Sequence, residues 1–360
     1  MNPSHQKQAA NAMKGGEQIF NGFDIVPEVP DGHYYFRSTK SHGTTKTLSK
    51  HVMKEWKILE ENLPDSIYVR VYENRIDLMR AVIIGAAGTP YHDGLFFFDI
   101  KLPSDYPNRP PKVYFYSFGY HLNPNLHNNG LVCLSLLNTW YGNSRERWNP
   151  RASTLLQVLV SIQALVLTEN PYLNLPHVGG WIGRTMSRAY NEAFFLVTWY
   201  VAIKLVNRPP KNFEAFVIQH FRTRSVAVLD SCRECANGRV LVGYYCRNGG
   251  GSDGGSSTLR SSNVRVSPYF RNTMVDLYPK LIQTFQSCGA DLQGTPKKLE
   301  LEVIINKKPK KKQVINRRNH ENKGEVRKNK TMGGVFKKTV DKIKTVLGWK
   351  KKKTSSKQIV

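Results

Sequence analysis

The 360-residue sequence has no uninterrupted apolar run of about 18 residues, the length that a helix needs to cross a bilayer. Its densest apolar segment, residues 194–206, is interrupted by Thr198 and Lys204. The first residues carry no apolar core after their charges, so they do not resemble a secretory signal. Only five cysteines are present, and this odd, scattered set does not indicate a disulfide framework. These absences predict a soluble protein of a reducing compartment, in the cytoplasm or the nucleus.

Acidic residues are also scarce, because 27 Asp and Glu stand against 53 Lys and Arg and give a net charge of +26 at pH 7. The excess is uneven, since residues 301–360 alone hold 20 basic and 4 acidic residues. A uniformly basic nucleic-acid-binding domain would spread its charge differently. The 40% hydrophobic content is enough to bury a core, which excludes wholesale disorder.

Changes of apolar periodicity along the chain predict an α+β fold. Helical spacing begins near Ser49 and stops before Pro64. Four runs rich in β-branched and aromatic residues follow, and their short connections favour an antiparallel meander: 67–72, 78–84, 95–100 and 113–116. Helical spacing returns over residues 155–166, with Ser153 as the expected N-cap.

Composition divides the chain into four parts. Residues 1–47 are polar and weakly periodic, which predicts a flexible N-terminal arm. Residues 48–210, which hold the predicted helices and strands, are predicted to form one folded domain. Residues 211–296 are predicted to form a helical extension that contains a Gly/Ser linker at 248–257. Residues 297–360 are mostly lysine, arginine and asparagine, which predicts a disordered basic tail.

The basic tail supports three interpretations. Residues 335–349 place apolar side chains on one helical face and lysines opposite, as in amphipathic helices that lie on an anionic membrane surface. The run Lys307-Lys-Pro-Lys-Lys-Lys312 resembles a nuclear-import signal. A solvated tail without a partner is the third interpretation, and the sequence leaves all three open.

The most informative stretch surrounds Asn125 and Cys133. Pro124 fixes φ in the rigid turn formed by residues 123–125, and the turn-rich residues 128–130 separate the asparagine from the cysteine. A loop of this kind can fold so that the Asn125 amide lies over the thiol. Acyl transfer from a thioester needs a nucleophilic sulfur and a donor placed at the developing oxyanion. We therefore expect Cys133 to be open to solvent beneath the amide of Asn125.

Five motifs, in order along the chain, resemble the signature of ubiquitin-conjugating enzymes. They are Thr-Pro-Tyr-His-Asp-Gly at 89–94, Tyr-Pro-Asn-Arg-Pro-Pro-Lys-Val at 106–113, Asn-Pro-Asn at 123–125, Asn-Gly-Leu-Val-Cys at 129–133 and Trp-Asn-Pro at 148–150. The resemblance covers about residues 54–175 and implies that the predicted domain at 48–210 is the catalytic domain. The insertion at 137–147 is typical of the large, extended members of this family, which can combine conjugating and ligase roles.

The resemblance implies the ubiquitin-conjugating fold, with an N-terminal helix, a four-stranded antiparallel meander and C-terminal helices. It implies a transferase in which Cys133 accepts ubiquitin as a thioester from the activating enzyme. Asn125 would stabilise the intermediate when a substrate lysine attacks, and Asn123 and Pro124 would support it. No organic cofactor or metal is implied, and ATP is consumed upstream by the activating enzyme.

The resemblance also implies partner-binding residues. Lys54 and Lys57 lie on the polar face of the first predicted helix, which in this family meets an acidic domain of the activating enzyme. A solvated helix face is the alternative for these two lysines. Pro110 and Pro111 are assigned to the partner-binding surface, where a ubiquitin ligase is a further expected partner.

Three positions depart from the family pattern. Asn123 replaces a histidine that is generally structural, so we expect activity to survive. Asn108 replaces the loop aromatic that anchors ligases, which fits a self-sufficient or unusual mode of partner binding. The acidic residue that helps to position and deprotonate the incoming lysine has no counterpart. We expect lysine attack to depend instead on one of three residues: Asn174, Glu169 or Tyr172.

Three other functions stay open at this point. The family fold could be retained as a catalytically weak, ubiquitin-binding scaffold, although the presence of Cys133 argues against that. A nucleic-acid-associated protein would act through the basic tail. A cysteine protease would pair Cys133 with His121 or His127 as base, but no other protease pattern surrounds these residues.

The other cysteines invite a metal interpretation. Cys232 and Cys235 form one Cys-x-x-Cys pair, with His220 and Cys246 nearby in the sequence. A single pair without a second spaced pair is a weak zinc signal. We therefore expect core thiols here, and a buried or incidental thiol at Cys288.

Overall fold

The computed structural model describes residues 20–38, 46–175, 180–242 and 264–302. For residues 180–185 it describes the backbone alone. Its described residues form a five-stranded sheet in the spatial order β1 to β5. The strands are β1 (Phe23–Val26), β2 (Ile67–Tyr72), β3 (Leu78–Ile84), β4 (Leu95–Lys101) and β5 (Lys112–Phe115). Strands β2 to β5 form the predicted antiparallel meander, whereas β1 pairs with β2 in parallel.

The described residues also form five α-helices. They are α1 (Lys46–Asn62), α2 (Leu155–Ser161), α3 (Gly180–Asn207), α4 (Glu214–Ala236) and α5 (Pro268–Ser287). Helix α1 begins three residues before the predicted start at Ser49. Within the described ranges, no helix combines the length and the apolar character that crossing a membrane requires.

The start of α2 differs from the expectation by one residue. Thr154, not Ser153, is the N-cap. Its hydroxyl accepts from the backbone N–H of Gln157, and the side-chain oxygen of Gln157 accepts from the backbone N–H of Thr154. The Ser153 hydroxyl instead accepts from the backbone N–H of Asn149 at 2.9 Å. A wider π-helical turn at residues 162–166 continues α2.

One hydrophobic cluster joins the inner face of the sheet to all five helices. Trp199 of α3 is 1% exposed, and Phe221 of α4 stacks on Phe285 of α5 with 5.8 Å between ring centroids. Burying aromatic rings of this size contributes much of the stability of such a core. The cluster runs across position 210, which we predicted as the boundary between the catalytic domain and the extension.

A polar contact fastens α4 to the loop that precedes β4. The Arg224 guanidinium donates two hydrogen bonds to the Asp93 carboxylate, both at 2.9 Å. The His220 Nε2–H donates to the backbone oxygen of Asp93, also at 2.9 Å. Bidentate charge-assisted bonds of this kind fix orientation as well as distance. The extension is therefore held directly on one of the five motif segments.

The expected flexible arm is wrong for residues 20–38. This segment adds β1 to the sheet and then covers the outer face of the sheet, where the Tyr34 N–H donates to Asp99 Oδ2 at 2.6 Å. Asp99 is fully buried and pairs with Arg80, while His33 beside them is 2% exposed. Because charged residues on this face need a cover that excludes water and supplies partners, an otherwise polar segment becomes ordered there.

The expected disorder is also wrong for residues 297–302. Leu299 is buried in the hydrophobic cluster, and the Glu302 N–H donates to Asn237 Oδ1 at 2.8 Å. These contacts fix residues 297–302 against the end of α4. The chain from residue 303 onward lies outside the described residues.

Several predictions concern segments that the structure does not describe. The Gly/Ser linker at 248–257, the import-like run at 307–312 and the amphipathic helix at 335–349 all lie outside the described residues. The membrane-surface and nuclear-import contacts of the tail, and the cytoplasmic or nuclear location, stay predictions.

Candidate active site

The loop between β5 and α2 brings Asn125 and Cys133 into direct contact. The Cys133 N–H donates to the backbone oxygen of Asn125 at 2.8 Å. In return, the Asn125 Nδ2 amide donates to the backbone oxygen of Cys133 at 2.9 Å. These reciprocal bonds hold the side-chain amide of Asn125 against the backbone of Cys133. The placement of that amide over the sulfur itself stays a prediction.

Asn123 and Pro124 form the turn that presents Asn125. The Asn123 Oδ1 accepts from the backbone N–H groups of Asn125 and Leu126, at 2.8 and 2.9 Å. Its Nδ2 donates to the backbone oxygen of Val166 at 3.0 Å, which ties the turn to the end of the π-helical segment. Both Asn123 and Pro124 are buried. The side chain at position 123 therefore satisfies backbone groups and is positioned for a structural role.

Of the three residues expected to assist lysine attack, Asn174 is the one that touches Asn125. The Asn174 Nδ2 donates to Asn125 Oδ1 at 3.1 Å and to the backbone oxygen of Leu165 at 2.8 Å. Since Oδ1 of Asn125 faces Asn174, its Nδ2 faces Cys133. The half-buried Tyr172 packs on Tyr190 of α3, with 4.3 Å between ring centroids.

Glu169 takes no part in this contact. Its side chain is exposed, and its backbone oxygen accepts from Asn191 Nδ2 of α3 at 2.8 Å. Asn174 lies in a 3₁₀ turn, Pro171–Asn174, a few residues along the same connection. The tertiary structure therefore separates three candidates that the sequence treated alike.

The expected open thiol is wrong, because Cys133 is only 5% exposed. The insertion folds back on its flanking residues: the Thr139 hydroxyl accepts from the Leu134 N–H at 3.0 Å and donates to the Val132 oxygen at 2.6 Å. Cys133 is nevertheless not a member of the hydrophobic cluster. Burial raises the pKa of its thiol.

A histidine lies against this thiol. The Nε2 atom of His127 is 3.3 Å from Cys133 Sγ. The His121 ring packs edge-on against the His127 ring, with 5.0 Å between centroids. Burial lowers the pKa of His127; burial and the neighbouring His127 lower the pKa of His121 to about 4. Both imidazoles are therefore neutral at pH 7, and His127 can accept a proton.

The same contact bears on the cysteine-protease interpretation. It selects His127 rather than His121 as the partner of Cys133. Among the described residues, however, no carboxylate or amide side chain is hydrogen-bonded to the His127 ring. The third member that orients the base in protease-like triads is thus missing from this part of the chain.

The predicted partner-binding residues divide into exposed and buried ones. Lys54 and Lys57 are exposed on α1, and Lys57 Nζ lies 3.8 Å from Glu61 Oε1. Pro110 is half-buried, but Pro111 is buried immediately before β5. The assignment of Pro111 to a partner-binding surface is therefore wrong, because its ring packs inside the protein.

Sequence reasoning missed a buried carboxylate that connects the elements around the site. Glu55 of α1 accepts from the Tyr106 hydroxyl at 2.7 Å and from the Leu155 N–H at 2.9 Å. Burial raises the pKa of this carboxyl group. Trp148 Nε1 donates to the Pro107 oxygen at 2.6 Å and closes the same region. Leu155 is 100 residues from Glu55, so no local pattern could have predicted the contact.

The other cysteines among the described residues are core thiols. Cys232 and Cys235 are at most 1% exposed within the hydrophobic cluster, and burial raises the pKa of both. His220 is bonded to Asp93, and Cys288 is buried. In the part of the chain that the structure describes, no group of three or more His, Cys, Asp or Glu side chains could hold a metal ion. Cys246 lies outside that part.

The segment that carries this geometry resembles known proteins. Residues 51–192 match the ubiquitin-conjugating enzyme family. The chain is 44% identical over 283 residues to a putative ubiquitin-conjugating enzyme E2 38 of Arabidopsis thaliana, covering 77% of this chain and 85% of that protein. The chain belongs to the ubiquitin-conjugating enzyme family. Members of this family are transferases that work through a thioester intermediate, and the predicted α+β fold is the fold of the family.

Other relatives of this ubiquitin-conjugating enzyme differ in length. A probable ubiquitin-conjugating enzyme E2 25 of Arabidopsis thaliana is 47% identical over 252 residues, which cover 69% of this chain but 41% of that protein. The human dual E2 ubiquitin-conjugating enzyme/E3 ubiquitin-protein ligase BIRC6 is 36% identical over 237 residues, 60% of this chain and 5% of that protein. The structure of human ubiquitin-conjugating enzyme E2 G1 is 30% identical, covering 32% of this chain and 89% of its own, with a TM-score of 0.28.

Proposed function

We propose that this protein accepts ubiquitin from the activating enzyme as a thioester on Cys133 and transfers it to a lysine of a substrate protein. The observation that carries the proposal is the reciprocal hydrogen bonding of Asn125 and Cys133. It keeps an amide donor against the residue whose sulfur would carry the acyl group. Acyl transfer requires this combination of nucleophile and oxyanion donor.

The reaction consists of two acyl transfers. In the first, Cys133 Sγ attacks the thioester carbonyl on the activating enzyme, and the activating enzyme's sulfur leaves. In the second, a substrate amine attacks the new thioester, and Cys133 Sγ leaves. A side-chain amide has two N–H donors. One N–H of Asn125 is bonded to the Cys133 oxygen, and the other is the donor that we assign to the oxyanion.

Asn174 is the residue to which we assign positioning of the incoming lysine. It fixes the orientation of Asn125, and its own Oδ1 can accept a hydrogen bond from the amine. An amide can orient an amine but cannot take its proton at neutral pH. We therefore expect solvent or a substrate group to remove that proton.

A hybrid conjugating and ligase activity is a finer part of the proposal. It is supported by the similarity to the human dual-function relative, by the insertion at 137–147 and by Asn108, which replaces the loop aromatic that anchors ligases. A loop without that aromatic is expected to bind a separate ligase weakly. Lys54 and Lys57, exposed on α1, are the residues that we assign to the activating enzyme.

One observation favours a second candidate function, a catalytically weak ubiquitin-binding scaffold. The thiol of Cys133 is buried and its pKa is raised, and both properties reduce the concentration of reactive thiolate. Whether ubiquitin is loaded onto Cys133 as a thioester therefore distinguishes the conjugating enzyme from the scaffold.

A loading assay tests the proposal. We expect the full chain, mixed with activating enzyme, ATP and ubiquitin, to form an adduct that is one ubiquitin heavier and disappears on reduction. The same assay with ubiquitin-like modifiers establishes which modifier is carried, and omission of ATP is the control. A folded sample that forms no adduct with any modifier would instead support the scaffold.

Replacing Asn125 by Ala tests the oxyanion donor. We expect the rate of thioester discharge to free lysine to fall by about 10²–10³, the loss that follows removal of one oxyanion donor. The enzyme is loaded first and then chased with lysine, so that slow loading does not obscure the result. Asn128→Ala, which changes an exposed asparagine of the same loop, is the matched control. Equal discharge rates for the two variants would remove Asn125 from the mechanism.

A further inference from the structure

The position of His127 in the site is built rather than incidental. Its backbone N–H donates to the Leu131 oxygen and its oxygen accepts from the Gly130 N–H, both at 3.0 Å. Gly130 has a φ of 85°, and a Cβ atom there would lie 2.1 Å from the Tyr114 ring. Glycine accommodates the positive φ and the close approach of the Tyr114 ring, and the two backbone hydrogen bonds hold the turn that carries the histidine.

We propose that His127 accepts the proton of Cys133 Sγ when ubiquitin is loaded, an inference that rests on the function proposed above. The S–H proton moves to Nε2 of His127 as the sulfur attacks the thioester carbonyl of ubiquitin on the activating enzyme. The bond between that carbonyl and the activating enzyme's sulfur breaks, and the leaving thiolate takes the proton from His127. Every proton and electron pair is accounted for by these three partners.

The electrostatics of the site make such a partner necessary. Burial raises the pKa of the Cys133 thiol, so little thiolate forms by itself at neutral pH. Among the described residues, two titratable groups face the His127 ring, Cys133 and His121, and burial lowers the pKa of both imidazoles. A preformed thiolate–imidazolium pair is disfavoured under these conditions. The proton is therefore expected to move during the attack, as in general base catalysis.

The other polar groups around the thiol cannot replace the imidazole. Asn125 and Asn174 contribute side-chain amides, which are not basic at neutral pH. Thr139 bonds the backbone on both sides of Cys133 through its hydroxyl. In the part of the chain that the structure describes, His127 is the basic group in contact with Sγ, at 3.3 Å.

The pH dependence of loading tests the role of His127. We expect His127→Gln to load ubiquitin about 100-fold more slowly at pH 7, the lower end of the range for general acid–base catalysis. The difference in loading rate between His127→Gln and the unaltered protein should become smaller toward pH 9, where more Cys133 thiolate forms without a base. Alkylation of Cys133 by iodoacetamide, followed on its own peptide by mass spectrometry, should show the same pH-dependent gap without any ubiquitin. His121→Gln, which removes the neighbouring imidazole, is the matched control and should keep the fast reaction at pH 7.

A second variant protects the test against a purely structural effect. In His127→Ala, added imidazole should restore fast loading at pH 7, which a damaged fold would not allow. Normal loading by His127→Gln at pH 7, or an unchanged pH profile, would overturn the role of His127 and leave the proposed function intact. Failure of the unaltered protein to form any thioester would overturn the proposed function and this role with it.

Discussion

Cys133→Ala is expected to abolish the ubiquitin adduct completely, since no other side chain of the loop offers a sulfur next to Asn125. Cys133→Ser is expected to give a slow adduct that resists reduction, because a hydroxyl forms an ester instead of a thioester. Electrophoresis with and without reductant, after incubation with activating enzyme, ATP and ubiquitin, measures both results. The comparison separates chemistry at position 133 from non-covalent binding of ubiquitin.

The matched control for this prediction is Cys288→Ala. Cys288 is also buried and also has a raised pKa, but it caps the end of α5, outside the β5–α2 loop. This variant should load ubiquitin as the unaltered protein does. A reducible adduct that persists in Cys133→Ala would place the thioester on another cysteine and contradict the site described above.

Arg80→Met is expected to lower the free energy of unfolding by about 3–5 kcal/mol, the cost of leaving a buried charge without its partner. Asp99 is fully buried, and Arg80 donates to its two oxygens at 2.7 and 3.1 Å. The arginine also donates to the Tyr116 hydroxyl at 2.5 Å. Loss of these hydrogen bonds is also expected to loosen residues 20–38, the segment that covers this face of the sheet. Urea unfolding measures the change.

Two comparisons make this prediction specific. Lys57→Met removes a positive charge from an exposed pair on α1 and should change stability by no more than about 0.5 kcal/mol. The double change Arg80→Met with Asp99→Leu removes both buried charges, so it should be less destabilising than the two single losses added together. A loss for Arg80→Met as small as that for Lys57→Met would contradict the proposed importance of the ion pair.

Local periodicity was sufficient for the elements that bury one continuous face. The meander, helix α1 and helix α2 were predicted near their observed places, because apolar spacing is a property of each segment by itself. Periodicity could not predict which segments of the chain cover the two faces of the sheet. Strands β3 and β4 are buried on both faces, so their apolar pattern does not reveal that residues 20–38 cover one face of the sheet.

The active site shows the same division. Motif order in the sequence identified Cys133 and Asn125 and implied the family, and the reciprocal bonds between them follow from a short turn. The contact of Asn174 with Asn125, the contact of His127 with the thiol and the burial of Pro111 all needed coordinates. Spacing in sequence does not fix which side of a loop faces a neighbour once other elements pack against it.

The sequence by itself therefore determined the fold class, the enzyme family, the candidate nucleophile and its amide partner, because these depend on residue types at short, fixed separations. Only the tertiary structure decided how accessible the sulfur is, which base lies beside it and which element shields the buried ion pair. Burial and pKa values depend on everything that packs around a group, and most of that comes from distant parts of the chain.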